Sequence, residues 1–244
     1  MELSKKDIIA GLKREILSLG GTGPGQNGHM PDLGLGMMNN AFPESCFPLG
    51  SVHEFISETS EATAATLGFI TGILSGLMNT SGVAVWIGTS RSLFPPALKA
   101  FGIEPDRIIF VDLQKEKEVL WAMEESLKCR GLSAVVGEIP ELSFTASRRF
   151  QLAVEQSRVT GFILRNHPRN LLPNACVSRW KIEPIPSFTY DDLPGLGFPR
   201  WNVELLKIRN GRPGSWQLEW ADEIFQDISI SVPSILPEPK RKTG

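Results

Sequence analysis

The spacing of apolar residues changes several times along this chain, and each change predicts a structural element. Between residues 51 and 165, short and mainly apolar runs alternate with stretches in which apolar residues recur every three or four positions. The short runs predict strands at residues 51–56, 83–87, 107–113, 132–136 and 161–165. The periodic stretches predict helices at residues 63–78, 96–101, 115–128 and 146–157. Apolar strands that alternate with helices are typical of a mostly parallel sheet flanked by helices, so we predict an α/β core.

The pattern differs on either side of this core. Residues 175–182 and 201–208 are predicted strands, and a glycine-rich turn at 210–214 leads to a third at 217–220, which indicates an antiparallel C-terminal extension. At the other end, residues 4–19 are predicted to form a separate amphipathic helix. Its apolar face consists of Ile9, Leu12, Ile16 and Leu19.

These elements divide the chain into four regions. We expect an N-terminal helix at 1–20, a flexible linker rich in Gly, Pro and Asn at 21–40, a core with its C-terminal hairpin at 41–232 and a disordered tail at 233–244. Trp201, Trp216 and Trp220 are expected to anchor the hairpin, with one of them exposed for a partner.

Composition narrows the environment and the class of ligand. The net charge of -2 gives no overall attraction to nucleic acid, so a DNA contact would require a local basic patch. Three widely spaced cysteines indicate free thiols in a reducing compartment. No signal peptide is evident, and the longest apolar stretch, residues 65–78, is too short to span a bilayer. We therefore expect a cytoplasmic protein without membrane contact, in which Gly68, Gly72 and Gly76 let a helix lie close to the sheet.

Residues 57–64 stand where a nucleotide-binding loop would follow the first core strand. That loop, G-x-x-x-x-G-K-[ST], uses glycines to close backbone N–H groups around phosphates, a lysine to reach the β and γ oxygens and a hydroxyl to hold Mg²⁺. In this chain Ser57 and Ala62 replace the glycines, Thr63 the lysine and Ala64 the hydroxyl, while acidic residues at 58 and 61 add negative charge. We expect a vestigial phosphate loop, and no cofactor.

Several short segments of the sequence resemble the ImuA family, whose members are RecA-like accessory proteins of bacterial error-prone repair. These segments are PLG at 48–50 with HE at 53–54, LWAMEESL at 120–127, AVVGE at 134–138, TASRRFQLA at 145–153, RWNVELLK at 200–207 and GRPGSW at 211–216. The order of strands and helices over residues 41–185 resembles the RecA core. The resemblance therefore implies a RecA-like fold.

The groups that a RecA-type ATPase needs are replaced at the matching positions. Ser90 stands at the acid that polarises the attacking water, and Gly137, followed by Glu138, stands at the Mg²⁺ ligand. Arg165 stands at the glutamine that senses the γ-phosphate, and the loop that grips single-stranded DNA is shortened to residues 166–174. The resemblance thus implies that the RecA-like fold is retained and that the ATPase reaction is lost.

The role implied by the resemblance is that of a non-catalytic scaffold in DNA-damage-induced translesion synthesis. Its implied partners are an ImuB-like homologue of Y-family polymerases, an error-prone polymerase of the replicative type, and RecA or a second copy of the chain. The predicted N-terminal helix is the candidate partner-binding element, because its apolar face must otherwise fold back onto the core.

DNA contact and metal binding are weaker predictions. Arg148, Arg149, Arg165 and Arg169 are the candidate DNA contacts, and the alternative is a solvated face that pairs with Glu141 and Glu155. Any affinity for single-stranded DNA is expected to be weak or indirect. The three histidines and three cysteines are too scattered to predict a metal site.

Two other functions remain open on the sequence alone. One is a divergent ATPase in which Glu138 holds Mg²⁺ and a distant lysine supplies the missing charge. The other is a cell-division inhibitor of the SulA type, a group that resembles a more minimal RecA-like core.

Overall fold

A nine-stranded mixed sheet forms the centre of the molecule. The computed structural model of the chain describes residues 32–78, 82–187 and 197–228. In chain order the strands are β1 Val52–Ser57, β2 Ala84–Gly88, β3 Ile108–Asp112, β4 Ala134–Glu138, β5 Thr160–Asn166, β6 Ser178–Pro184, β7 Arg200–Ile208, β8 Gly214–Ala221 and β9 Ile224–Asp227. In the sheet they lie in the order β3-β2-β4-β5-β1-β6-β7-β8-β9. The first six strands of this order are mutually parallel and each of the last three is antiparallel to the strand before it, so the predicted fold class is confirmed.

Within the described residues, three α-helices cover the two faces of the sheet. Helix α1, Ser60–Met78, packs on one face over an aromatic core that includes Phe55, Phe69 and Trp180. Helices α2, Glu116–Leu127, and α3, Phe144–Ser157, pack on the opposite face. Strand β1 lies between these two layers and is buried along its whole length, including its polar residues His53 and Glu54.

The glycines of α1 allow the C-terminal extension to approach it closely. A Cβ added at Gly68 would lie 3.2 Å from the Trp201 ring, and one added at Gly72 only 2.5 Å from the Phe225 ring. Helix α1 has 19 residues, so it is longer than the sequence predicted, and within the described residues it is the one helix whose length and composition suit a membrane span. Most of it is buried inside the protein, as befits a core helix.

Three segments differ from their predictions. Residues 32–40 do not form a flexible linker, because Leu33, Leu35 and Met38 are buried in the core and Gly36–Ala41 forms a 3-10 helix. The extension also contains β9, which the sequence did not predict. The predicted helix at residues 96–101 is a 3-10 helix, Pro95–Phe101. The predicted N-terminal helix, with Ile9, Leu12, Ile16 and Leu19, and the predicted tail lie outside the described residues.

Candidate functional site

The segment that would hold phosphates is almost entirely strand and helix. Strand β1 ends at Ser57 and α1 begins at Ser60, so only Glu58 and Thr59 connect them. The Ser57 hydroxyl is buried and lies 3.0 Å from the Thr66 hydroxyl of α1. The first turn of α1 therefore occupies positions where a phosphate loop would wrap around its ligand.

Backbone amides at the start of α1 already have acceptors within the chain. The amide of Ala62 donates to the Thr59 hydroxyl at 3.1 Å, and the amide of Thr63 donates to the Thr59 carbonyl at 2.9 Å. Thr59 thus caps the helix. The Thr63 side chain, at the lysine position, donates back to the Thr59 carbonyl at 3.0 Å.

A carboxylate of the chain itself lies at this helix terminus. The pKa of Glu61 is lowered by its own backbone N–H and by the hydroxyls of Ser60 and Thr59. The Ser60 hydroxyl lies 3.1 Å from the carboxylate. Anions are stabilised at helix N-termini, and Glu61 supplies one where a nucleotide phosphate would bind.

A lysine also reaches this segment, from the neighbouring strand β6. The Lys181 amine lies 3.3 Å from the Glu58 carboxylate and 3.0 Å from the Glu183 carboxylate. Hydrogen bonds to Glu183 and Glu58 raise the pKa of Lys181. The lysine therefore neutralises side chains of the protein.

The carboxylate at the end of β4, that of Glu138, is also bound by side chains of the protein. Glu138 accepts hydrogen bonds from the Trp86 indole at 2.8 Å and from the Ser92 hydroxyl at 2.5 Å. Burial raises the pKa of this carboxyl group. Ser90, at the position of the catalytic acid, is exposed. Glu138 thus fastens the segment that follows β2 to the end of β4.

Arg165 lies in the core and does not form part of a DNA-binding surface. Its side chain is 1% exposed and its guanidinium lies 2.9 Å from the Glu54 carboxylate, which is 0% exposed. Arg179 donates to the other oxygen of Glu54 at 2.6 Å. An unpaired buried charge is strongly unfavourable, so the three side chains act as one unit. The prediction of Arg165 as a DNA contact is wrong.

This charged unit fixes the segment between β5 and β6. Arg165 donates to the carbonyl of Asn170 at 2.8 Å, and Arg179 donates to the carbonyl of Leu172 at 2.9 Å. A third bond joins Arg165 to the carbonyl of Pro140 at 2.9 Å. The segment that matches the DNA-gripping loop is therefore held against the sheet.

The other candidate arginines remain on the surface. Arg148 and Arg149 are exposed on α3, where Arg149 pairs with Glu124 of α2. Arg169 is exposed, and its backbone amide donates to Glu141 at 2.8 Å. The structure thus leaves three of the four predicted arginines accessible.

Sequence reasoning did not predict the hydrogen-bonded chain around His53. The His53 Nε2–H donates to the Pro48 carbonyl at 2.8 Å, because a carbonyl can only accept. Nδ1 therefore accepts from the Ser178 hydroxyl at 2.7 Å, and this hydroxyl accepts from the Trp180 indole at 2.6 Å. Burial lowers the pKa of His53 to about 3. His53 is therefore a neutral, hydrogen-bonded residue of the core.

The exposed tryptophan lies outside the hairpin. Trp201 and Trp220 are buried and Trp216 is partly buried, so all three anchor the extension. The prediction that one of them is exposed is wrong, since the exposed indole is Trp121 of α2, at 66%. Among the residues that the structure describes, no three His, Cys, Asp or Glu side chains cluster as a metal site requires.

Comparisons with known proteins identify the relatives of this chain. No protein-family model matches it. Two curated proteins named Protein ImuA, from Caulobacter vibrioides strains NA1000 / CB15N and ATCC 19089 / CIP 103742 / CB 15, are each 37% identical over 194 residues. The match covers 75% of this chain and 80% of each relative. A crystal structure of the RadB recombinase superposes with a TM-score of 0.55 at 15% identity, over 81% of this chain and 99% of that one.

Proposed function

Since the chain belongs to the ImuA family, we propose that it is a non-catalytic, RecA-like scaffold of DNA-damage-induced translesion synthesis. The observation that carries the proposal is the start of α1, where Thr59 and the Glu61 carboxylate take up the polar groups that would face a phosphate. A fold of this kind can still offer surfaces for assembly when its reaction is absent.

Electrostatics supports the absence of nucleotide binding. A triphosphate brings about four negative charges, and two charges 4 Å apart interact by roughly 1 kcal/mol in water and more near a protein surface. Glu58 and Glu61 would add repulsion, and Lys181 is already paired with Glu58. These contacts also count against a divergent ATPase, since Glu138 is bound to Trp86 and Ser92.

The proposed partners are an ImuB-like homologue of Y-family polymerases and an error-prone polymerase of the replicative type, with RecA or a second copy of the chain as further candidates. Large apolar side chains stand exposed on the helices that cover the second face of the sheet. They are Trp121 on α2, and Phe144 and Leu152 on α3, at 66%, 60% and 46% exposure. Exposed aromatic and aliphatic side chains of this kind support a protein-binding role.

Calorimetry with Mg-ATP tests whether the protein binds nucleotide. We expect the protein to bind ATP with a Kd above about 1 mM, which is a binding free energy weaker than roughly 4 kcal/mol. The variant Glu58→Ala/Glu61→Ala relieves the repulsion but should still bind with a Kd above about 1 mM, because the Thr59 carbonyl and hydroxyl still occupy the amides. Micromolar binding by the natural protein that disappears on replacing Glu138 with Gln would establish the divergent ATPase instead.

Co-purification tests the scaffold role. An ImuB-like partner expressed together with the tagged chain should elute with it in a stable complex. The double variant Trp121→Ser/Leu152→Ser should reduce the yield of complex, whereas Leu206→Ser, at an exposed position of β7, serves as the matched control. Equal recovery for both variants would remove the α2–α3 surface from the proposal.

A further inference from the structure

Strand β3 forms one edge of the sheet, and among the described residues only β2 pairs with it. The amide of Leu113, directly after β3, donates to the carbonyl of Gly88 in β2 at 2.9 Å. Successive residues of a strand direct their N–H and C=O groups to opposite sides, so those of Phe110 and Asp112 face away from β2. Within the described part of the chain, this side of β3 therefore presents backbone donors and acceptors without a partner strand.

The side chains of β3 do not protect this edge. Residues 108–111 form an unbroken apolar run, and Ile109 is 51% exposed. Natural edge strands usually carry a lysine or a proline that prevents pairing with a further strand, and this run has neither. The charge of Asp112, which ends the strand, is paired with Arg91. The edge is therefore suited to bind another strand.

The opposite edge of the sheet, β9, is built differently. It has four residues, of which Gln226 and Asp227 are polar. A Cβ built on Gly34 would lie 3.7 Å from the backbone nitrogen of Phe225 and 3.9 Å from the Cβ of Ile224, so the segment around residue 34 lies against this strand. Of the two edges, β3 is the one that stands open within the described residues.

We propose that β3 pairs with β3 of a second copy of the chain, antiparallel about a two-fold axis at Phe110. In this register the two Phe110 residues lie opposite each other and exchange both backbone hydrogen bonds. The amide of Asp112 donates to the Ile108 carbonyl of the other copy. The amide of Ile108 needs no new acceptor, because it donates to the Pro105 carbonyl of its own chain. Both outward-facing amides thus gain an acceptor.

The side chains of β3 are self-complementary in this register, which favours a second copy over an unrelated strand. Ile109 lies opposite Val111 of the other copy, and by symmetry this apolar pair forms twice. On the other face the two Phe110 rings lie side by side. Pairs of aromatic and β-branched residues are those that stabilise neighbouring strands.

The charges that flank β3 select this register over its neighbours. A shift by two residues in one direction would set Asp106 opposite Asp112 of the other copy. A shift in the other direction would set Arg107 opposite Lys115. A shift by one residue would turn the apolar side chains to the wrong faces. Because like charges opposite each other are destabilising, the register centred on Phe110 is the favoured one.

This pairing joins the two sheets into one. Residues that lie opposite each other in an antiparallel pair share a face of the sheet, so α2 and α3 of both copies cover the same face. The two α2–α3 surfaces, each with an exposed Trp121, therefore point to the same side. A partner with two binding elements would engage both and gain affinity from the second contact. The inference rests on β3 alone and does not require the scaffold role.

Sedimentation velocity of the full-length chain tests the pairing. Two five-residue strands bury less than the roughly 1,200 Å² of a stable interface, so we expect a reversible dimer with a Kd on the order of 10 µM. Ile109→Lys sets a charge opposite Val111 and should weaken the dimer about 10-fold. Ile224→Lys, at a position of β9 that is 50% exposed, is the matched control and should dimerise like the natural protein.

Mixing two variants tests the register. Ile109→Lys and Val111→Glu should each dimerise poorly alone, whereas their equimolar mixture should recover a heterodimer, because the new lysine then faces the new glutamate. The control mixture of Ile109→Lys with Ile109→Glu sets both charges opposite Val111 and should recover less. Circular dichroism melts establish that each variant is folded.

The other outcomes overturn the inference. A natural protein that stays monomeric at about ten times the expected Kd would show that β3 does not pair with a second copy. A dimer that Ile109→Lys leaves intact, or that Ile224→Lys weakens equally, would lie on another surface. Growth beyond the dimer would indicate an open-ended contact between unlike surfaces. Full recovery by the control mixture would overturn the register. Neither ATP nor a polymerase takes part, so these results are independent of the test of the scaffold role.

Discussion

A histidine that remains neutral inside the sheet links the stability of this molecule to pH. His53 is buried in β1, where it donates to the Pro48 carbonyl and accepts from Ser178. Protonation would place a second hydrogen against the Ser178 hydroxyl and a charge in the aromatic core. This is the physical reason why burial lowers the pKa of His53 to about 3.

We predict that stability falls as the pH is lowered from about 6.5, because the unfolded state then binds a proton that the folded state rejects until about pH 3. The slope is at most about 1.4 kcal/mol per pH unit, so stability decreases by roughly 2 kcal/mol between about pH 7 and pH 5. Urea unfolding at both pH values measures this decrease. The raised pKa of Glu138 has the opposite effect, because it increases stability as the pH is lowered. The natural protein must therefore be compared with a variant that lacks His53 and keeps Glu138.

His53→Gln is that variant, and its unfolding free energy should change less with pH than that of the natural protein by about this 2 kcal/mol. His167→Gln, at an exposed position, should keep the natural dependence. An identical pH dependence in His53→Gln would mean that the imidazole is not the group responsible.

At the scale of elements, the packing of the C-terminal extension on α1 requires that Gly68 and Gly72 carry no side chain. Gly72 lies beneath Phe225 of β9 and Trp220 of β8, and a Cβ there would stand 2.5 and 3.0 Å from their rings. The C-terminal extension can lie on α1 only because of this close approach.

Replacement of Gly72 by alanine should therefore destabilise the protein, by about 1–3 kcal/mol for an overpacked core. Alanine gains roughly 1 kcal/mol of helix propensity over glycine, which offsets only part of this cost. Gly131→Ala, where no atom lies within 4 Å of the new Cβ, is the matched control and should change stability little. A thermal melt distinguishes them, and an unchanged Gly72→Ala melt would contradict the close packing of Phe225 and Trp220 on α1.

Some elements are predictable from the sequence and others are not. The parallel core is predictable because most of its strands are short, mainly apolar runs between helical segments. Strand β9 is not, since its four residues include a single buried side chain, Phe225. Residues 32–40 have the composition of a loop, which predicts a linker, although Leu35 and Met38 are buried. Composition does not reveal that a loop-like segment is held by a few apolar contacts.

Some features of the candidate site are likewise predictable from the sequence and others are not. Replacement of the phosphate-binding residues is readable one position at a time, whereas the extra turn of α1 and its cap at Thr59 depend on how the chain folds. Arg165 ends an apolar strand, a position that suggests an exposed cation. The signal for its true role is Glu54, a charge inside the neighbouring apolar strand that needs a buried partner.

For the molecule as a whole, charge and the fixed segment between β5 and β6 predict weak binding to single-stranded DNA. We expect a Kd in the range of non-specific association, about 10⁻⁴ to 10⁻⁶ M, that weakens steeply with salt. Arg148→Ala/Arg149→Ala should reduce affinity for all sequences alike and lower the salt slope, by roughly 0.7 for each phosphate that is no longer neutralised. Fluorescence anisotropy at two salt concentrations measures both quantities.

The matched control is Arg130→Ala/Arg212→Ala, which removes the same charge from other exposed positions. Equal reductions in the two double variants would assign the binding to overall charge and not to the α3 surface. Tight binding that persists at high salt would identify a dedicated DNA-binding protein and end the scaffold-only proposal.

The distribution of indoles gives the molecule an optical asymmetry. Five of its six tryptophans are buried or partly buried, and Trp121 alone is exposed, on the α2–α3 surface proposed for a partner. A dissolved quencher such as iodide therefore reaches chiefly one emitter, at the red end of the spectrum, while the others report the interior. The native protein thus carries its own probe of that surface, and a partner that covers Trp121 would shield this emission without any dye or engineered label.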